Sequence, residues 1–191
     1  MRLCLISVSV VAAILTLSAS AAPAQPSKTF TLASYRPPAD GKADASEAFG
    51  KLFADVHAAG GGRVAIPPGT YALAGKAPIK LIGNTHVTAE GAVFLLPETL
   101  GDKARVVLFA GEDLTDFSWT GGEFRGRCFN PDKDTNTWEP NANTRAILLT
   151  TTAKGKTGNL RFRDLKSDGV AGAVITVLGV SEPGSESGVA N

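Results

Sequence analysis

Between Asp40 and Tyr71 the chain runs through a helix-like stretch, DGKADASEAFGKLF, then a glycine cluster, then RVAIPPGTY. This order of elements constrains the fold more than anything else in the 191 residues. Ala45, Ala48, Phe49, Leu52, Phe53, Val56 and Ala59 recur at the helical period, so one face of the segment is apolar and needs a surface to cover. Asp44, followed three residues later by Glu47, predicts a capping box with Asp in place of the usual Ser or Thr. Gly60, Gly61 and Gly62 end the helix, because glycine takes the left-handed geometry of a helix C-terminus at no steric cost. Val64 and Ile66 then alternate with Ala65 as a short strand, and Pro67, Pro68 and Gly69 turn it into Tyr71 and Leu73.

Ahead of this region, Arg2 precedes an apolar run from Leu3 to Leu17 and a series of small residues through Ala24, the pattern of a secretory leader. The run is shorter than the roughly 20 apolar residues of a membrane span. Ala19-Ser20-Ala21 and Ala22-Pro23-Ala24 both fit the cleavage rule, and cutting after Ala21 is favoured. Export to the periplasm or the outside is therefore expected. Cys4 lies at the start of the apolar run and is a poor lipoprotein acceptor. The mature chain then has 18 basic residues, 19 less Arg2, against 18 acidic ones. Such a balance argues against nucleic acid as a partner. Cys128 is left as its only cysteine, so no internal disulfide can form and packing alone must hold the domain together.

After the helix, short apolar segments bounded by Gly, Asn, Asp or Pro continue to Val180 and read as strands. Three can be laid over one another: VTAEGAVF from Val87, FSWTGGEF from Phe117 and LRFRDLKS from Leu160. Val87, Phe117 and Leu160 then share one inward position, Ala89, Trp119 and Phe162 the next, and Gly91, Gly121 and Asp164 a bend. The starts lie 30 and 43 residues apart, the second interval holding a polar stretch from Arg127 to Thr144. Repeats of roughly 20 to 50 residues belong to stacked architectures. A β-sandwich would also show regularly spaced short strands. Only a stack needs its first unit covered, and an amphipathic helix directly before the first strand supplies that cover.

Asp40-Gly41, Asp44, the amphipathic helix, Gly61-Gly62 and RVAIPPGTY together resemble the amino-terminal signature of the pectate lyase superfamily. EDLTDFSWTGGEFRG, from Glu112 to Gly126, and NLRFRDLKSDGV resemble later coils of that family, and the resemblance runs from about Tyr35 to Val180. It implies an all-β chain, a right-handed parallel β-helix capped at its amino terminus by the helix at 44–59. Residues 1–21 would be the leader, 22–34 a lead-in, 35–180 the β-helix and 181–191 a tail. It also implies an acidic polysaccharide as partner, attacked by hydrolysis or by β-elimination, with Ca²⁺ as the metal if the chemistry is elimination. The Asn-Thr-Asp, Asp-Asp, Gly-His-Gly and Arg-Ile-Lys motifs of the polygalacturonase-like hydrolases are missing. His57 and His86 both read as surface or partly buried residues.

Inverting hydrolysis needs two carboxyl groups about 6.5 to 9.5 Å apart. Asp164 and Asp168 are the best candidate catalytic pair, with Glu123 on the preceding coil. Asp164 also reads as a bend residue, and Asp168-Gly169 as an ordinary turn. Arg125, Arg127, Arg161 and Arg163 are candidate substrate-binding residues, because guanidinium grips carboxylates in pairs of hydrogen bonds. Arg145 shares that chemistry. In LRFRDL, Leu160 and Phe162 take the inward positions and leave Arg161 and Arg163 outside. Trp138, with Phe129, is a candidate sugar-stacking platform. DKDTN at 132–136 starts like a calcium loop but lacks the glycine and the closing acid of an EF-hand.

A second reading of the same residues is a non-catalytic β-helix that binds glycans or serves as a surface adhesin. AGAVITVLGV near the end is apolar enough to be buried, whereas SEPGSESGVAN offers no amphipathic cap. The last coil is therefore expected to be incomplete and to self-associate through its bare end.

Overall fold

The computed structural model describes residues 28–97, 106–126, 145–170, 172–179 and 189–190. The leader, Arg127, Cys128, Phe129, Trp138, the DKDTN stretch and most of the tail lie outside them.

The chain enters through β1 (Thr29–Thr31), a single 3-10 turn (Leu32–Tyr35) and β2 (Asp40–Asp44), then forms α1 (Ser46–Ala58). From there it winds in coils of three strands. The first coil holds β3 (Gly62–Ala65), β4 (Gly69–Ala72) and β5 (Ile79–Leu81), and the second β6 (Thr85–Thr88), β7 (Ala92–Leu95) and β8 (Val107–Glu112). The third holds β9 (Thr115–Thr120), β10 (Glu123–Arg125) and β11 (Arg145–Thr150), and the fourth β12 (Thr157–Arg163), β13 (Lys166–Asp168) and β14 (Ile175–Leu178). β15 (Val189–Ala190) then pairs with β12. Corresponding strands stack into three sheets, the first in the order β1-β3-β6-β9-β12-β15, the second β13-β10-β7-β4-β2 and the third β14-β11-β8-β5. Every pairing is parallel.

Because side chains alternate along a strand, each sheet sends one column of residues into the stack. Val64, Val87, Trp119 and Phe162 are in register in the first sheet. Tyr71, Phe94 and Phe124 align in the second, and Ile79, Phe109, Ile147 and Ile175 in the third. Phe94 lies stacked on Phe124 with centroids 4.9 Å apart, and the Trp119 indole N–H donates to the Gly121 carbonyl.

α1 lies over the open end of this interior. Its apolar stripe, Ala48, Phe49, Leu52, Phe53 and Val56, is buried. Phe49 reaches the rings of Tyr71, Phe94 and Phe109. Tyr35, in the turn before β2, donates its hydroxyl to Asp55 of the helix at 2.6 Å and ties the other side down.

The expected capping box does not form. The helix starts at Ser46 with Ala45 as its cap residue and no side-chain cap bond, while Glu47 pairs with Lys51 at 2.6 Å. Asp44 is held in β2 by its pairing with Ala72, so its carboxylate serves two elements at once. It accepts the Ser46 amide at 2.9 Å and the Ala74 amide of the first coil at 3.1 Å. Burial pushes the Asp44 carboxyl up, but the bonds from Ser46 and Ala74 and the charge of Lys76 outweigh it and leave it below the usual range.

The repeat alignment needs one correction. Phe117 does stand over Leu160 and Trp119 over Phe162, but Val87 stands over Trp119, and Phe117 over Thr85. The bend between the first two sheets changes length: Ala65 to Thr70 and Thr88 to Val93 bridge the same two registers that Thr120 to Glu123 and Arg163 to Lys166 bridge in fewer residues. Gly121 (φ 79°) and Asp164 (φ 54°) hold equivalent left-handed positions in the shorter bend. A second left-handed column runs along the start of the first sheet, where Asn84 just before β6, Asp116 in β9 and Asn159 in β12 stand at φ of 53°, 54° and 52° and Asn159 donates its amide to Asp116. Asn and Asp accept this conformation better than other residues with a side chain.

Candidate functional site

The expected site residues divide between two outer faces. Arg161 and Arg163 project outward from β12 in the first sheet, exposed as the alternation implied, with Leu160 and Phe162 turned inward. Arg125 and Asp168 lie in the second sheet, directly opposite one another in register, as do Glu123 and Lys166. Arg125 is further engaged by Glu123, whose carboxylate accepts from Nε at 2.8 Å and from a terminal guanidinium nitrogen at 2.6 Å. That face is a checkerboard of opposite charges, each cation beside an anion. Asp164 sits in the bend between the two faces, immediately after Arg163, and Asp168 closes β13, so the two carboxyls come from different parts of the coil.

The third sheet presents another mixture. Lys80, Ile82, Ala110, Glu112 and Thr150 line a shallow cavity of about 410 Å³ beside His57 of the helix. Glu112 is the carboxylate on that wall. Among the described residues, no group of three or more His, Cys, Asp or Glu is placed to hold a metal ion.

The outer face of the first sheet is different in kind. Arg63 of β3, His86 of β6, Ser118 of β9 and Arg161 of β12 are in register, one polar side chain per coil. Thr88, Thr120 and Arg163 form a second column two residues further along. Strands in a sheet are about 4.8 Å apart, so the four residues make a row along the axis of the stack. No carboxylate stands in either column. His86 Nδ1 and Ser118 Oγ are 2.8 Å apart, and both residues are half-buried. Thr29, Arg63, His86, Thr88 and Ser118 line a cavity of about 460 Å³ over this part of the sheet. Sequence reasoning found Arg161 and Arg163 but not Arg63, His86 or Ser118. The signal was present in the outward positions of the repeat and appears only once the register of β6 is moved by two residues.

No protein-family model matches the sequence, nor does any curated protein. Solved structures do match it. An iota-carrageenase complexed to iota-carrageenan fragments is similar with a TM-score of 0.57 at 18% identity, over 77% of this chain and 30% of that one. A protein of Parabacteroides merdae ATCC 43184, provisionally assigned as a glycosyl hydrolase, is similar with a TM-score of 0.51 at 14% identity, over 86% of this chain and 94% of that one. The chain is a parallel β-helix. That is the fold its sequence resemblance implied, with α1 lying across the first coil. PfbA, a surface adhesin of Streptococcus pneumoniae, is also similar, with a TM-score of 0.49 at 18% identity over 75% of this chain and 40% of that one. The β-helix described here spans 30% of the length of the carrageenase. No helix among the described residues is long and apolar enough to cross a membrane.

Proposed function

We propose that this β-helix is an exported module that engages an acidic polysaccharide along the outer face of its first sheet, as part of the machinery of a polysaccharide-active protein. The observation that carries the reading is the row Arg63, His86, Ser118 and Arg161, one polar or cationic side chain per coil, flanked by Arg163. A linear polyanion needs cationic or hydrogen-bonding groups repeated along one direction, and the coil repeat provides them at strand spacing. The carrageenase neighbour was solved with iota-carrageenan fragments, a polysaccharide ligand. Uronate polymers, expected from the family resemblance, would be held by the same guanidinium groups through their carboxylates.

Hydrolysis within this chain would draw on Asp164, in the bend just past Arg163, and Asp168, on the outer face of the second sheet. Binding is tested by titrating polygalacturonate, iota-carrageenan and neutral dextran into the protein at two salt concentrations. The expected result is binding of the two acidic polymers, weakened by salt, with Arg161→Ala and Arg163→Ala each lowering affinity several-fold. Equal binding to dextran, or no effect of either substitution, would overturn the reading. Release of new reducing ends that is lost in Asp168→Asn while binding persists would support hydrolysis over a purely adhesive role.

A further inference from the structure

We infer that His86 and Ser118 form a base and nucleophile pair that hydrolyses small O-acyl esters, a chemistry beyond the holding of an acidic polymer. Three groups arrive in order on three successive strands of one face. His86 on β6 stands in register with Ser118 on β9, which stands in register with Arg161 on β12. The His86 Nδ1 to Ser118 Oγ distance of 2.8 Å is that of a hydrogen bond through which a serine hydroxyl can be activated. The donor is assigned by chemistry: with the proton on Nε2, Nδ1 accepts from Ser118 Oγ–H. Arg161, exposed and one strand further on, offers a cationic donor on the far side of the serine, where negative charge would grow on an acyl oxygen.

The surroundings suit a small acyl group. Ser118 faces the cavity of about 460 Å³, whose walls also include Thr29, Val64 and Thr88. The alternation of the strands gives both side chains to the outer face, with Val87 and Trp119 turned into the core beside them. The pair is thus held by two well-packed strands and reachable from solvent.

The reaction balances as ester plus water giving acid plus alcohol. Ser118 Oγ bonds to the acyl carbon as its proton passes to His86 Nδ1. The bond from that carbon to the alcohol oxygen breaks, and the departing oxygen takes the proton from His86. Water then gives a proton to the same nitrogen and bonds to the acyl carbon, and Ser118 Oγ leaves with that proton. An O-acetyl group on a sugar hydroxyl is the substrate class that fits a face already suited to an acidic glycan.

The test treats the full 191-residue chain with a fluorophosphonate probe and maps the adduct by peptide mass, alongside acetate release from O-acetylated polygalacturonate. The expected result is an adduct on Ser118, with labelling and acetate release both reduced roughly 100-fold or more in Ser118→Ala and in His86→Gln. Glu112→Gln, on the third sheet, should leave both unchanged. Absence of an adduct on Ser118 in the unsubstituted chain, or acetate release that survives Ser118→Ala, would overturn the inference and leave the contact as a cross-strand hydrogen bond. The probe carries no sugar, so its outcome is separate from that of the polysaccharide titration.

Discussion

The ring of Phe49 on the helix meets the ring of Tyr71 in the first coil edge to face, at 83° with centroids 5.4 Å apart. Both rings are buried, and Phe49 also touches Phe94 and Phe109 at 6.0 Å, so one helix residue spans two of the three sheets at the end of the interior. Phe49→Ala should cost about 3 to 5 kcal/mol in equilibrium denaturation. Lys51→Ala, which removes only an exposed pair with Glu47, should cost under about 1 kcal/mol. Comparable losses from the two would mean that the helix does not close the stack.

Alkaline stability should depend on Tyr35. Burial, then the bond to Asp55 and its charge, push the Tyr35 phenol up to about 12 from an ordinary value of 10. Tyr71 is pushed up as well, by burial. A phenol whose value is raised on folding favours the fold while it stays protonated. Its contribution is complete below pH 10 and is lost as pH rises towards 12. Denaturation midpoints should therefore hold up to about pH 10 and fall above it, and the fall should be shallower in Tyr35→Phe. An equal fall in that variant would assign the effect elsewhere.

Gly121 and Asp164 occupy the same bend in successive coils, so they should respond in opposite ways. A Cβ on Gly121 would lie 2.9 Å from the Glu90 amide nitrogen and would sit at a left-handed φ of 79°. Gly121→Ala should lose about 2 kcal/mol or more. Asp164→Gly relieves the strain of a side chain at φ 54° while making the unfolded chain more flexible, and should end within about 1 kcal/mol of the parent. Thermal or denaturant midpoints measured side by side decide it, and a large loss from Asp164→Gly would mean that its carboxylate bonds to something essential.

The fourth coil is less well covered than the three before it. Leu160, Phe162, Ile175 and Val177 are only half-buried, and Leu178 is 49% exposed. Sedimentation of the 191-residue chain should show association that grows with concentration. Leu178→Lys should shift it towards monomer, since a charge on an edge strand discourages pairing with another chain. A monomer at every concentration would refute the expectation.

The helix and the turn after it were legible because their patterns are local: the apolar stripe, the glycines and Pro67-Pro68-Gly69 all lie within one span. The coil register was not. Moving a strand by two residues keeps the same side chains inward, so the pattern of Val87 and Ala89 cannot distinguish pairing with Phe117 and Trp119 from the pairing observed. What the alignment did get right was the second sheet, where Gly91 and Gly121 precede the paired Phe94 and Phe124. The capping box failed for a similar reason. Asp44 has the right spacing to Glu47, but its partner Ala74 is 30 residues away and becomes a neighbour only when the first coil closes. His86 and Ser118 are 32 residues apart and meet by the same stacking. Arg161 and Arg163 were found because alternation within one strand is enough to turn them outward.

The stacking also sets an order of events for a chain made from its amino terminus. In the first sheet β6 and β9 each pair with the corresponding strands of the coils before and after, and the helix is finished before β3 begins. A folded first coil therefore presents ready edges to the second, and growth can proceed one layer at a time while later residues are still emerging. In such a scheme the helix is a starting block as much as a lid. Damage to it should harm the yield of folded protein even where the finished stack would tolerate the change.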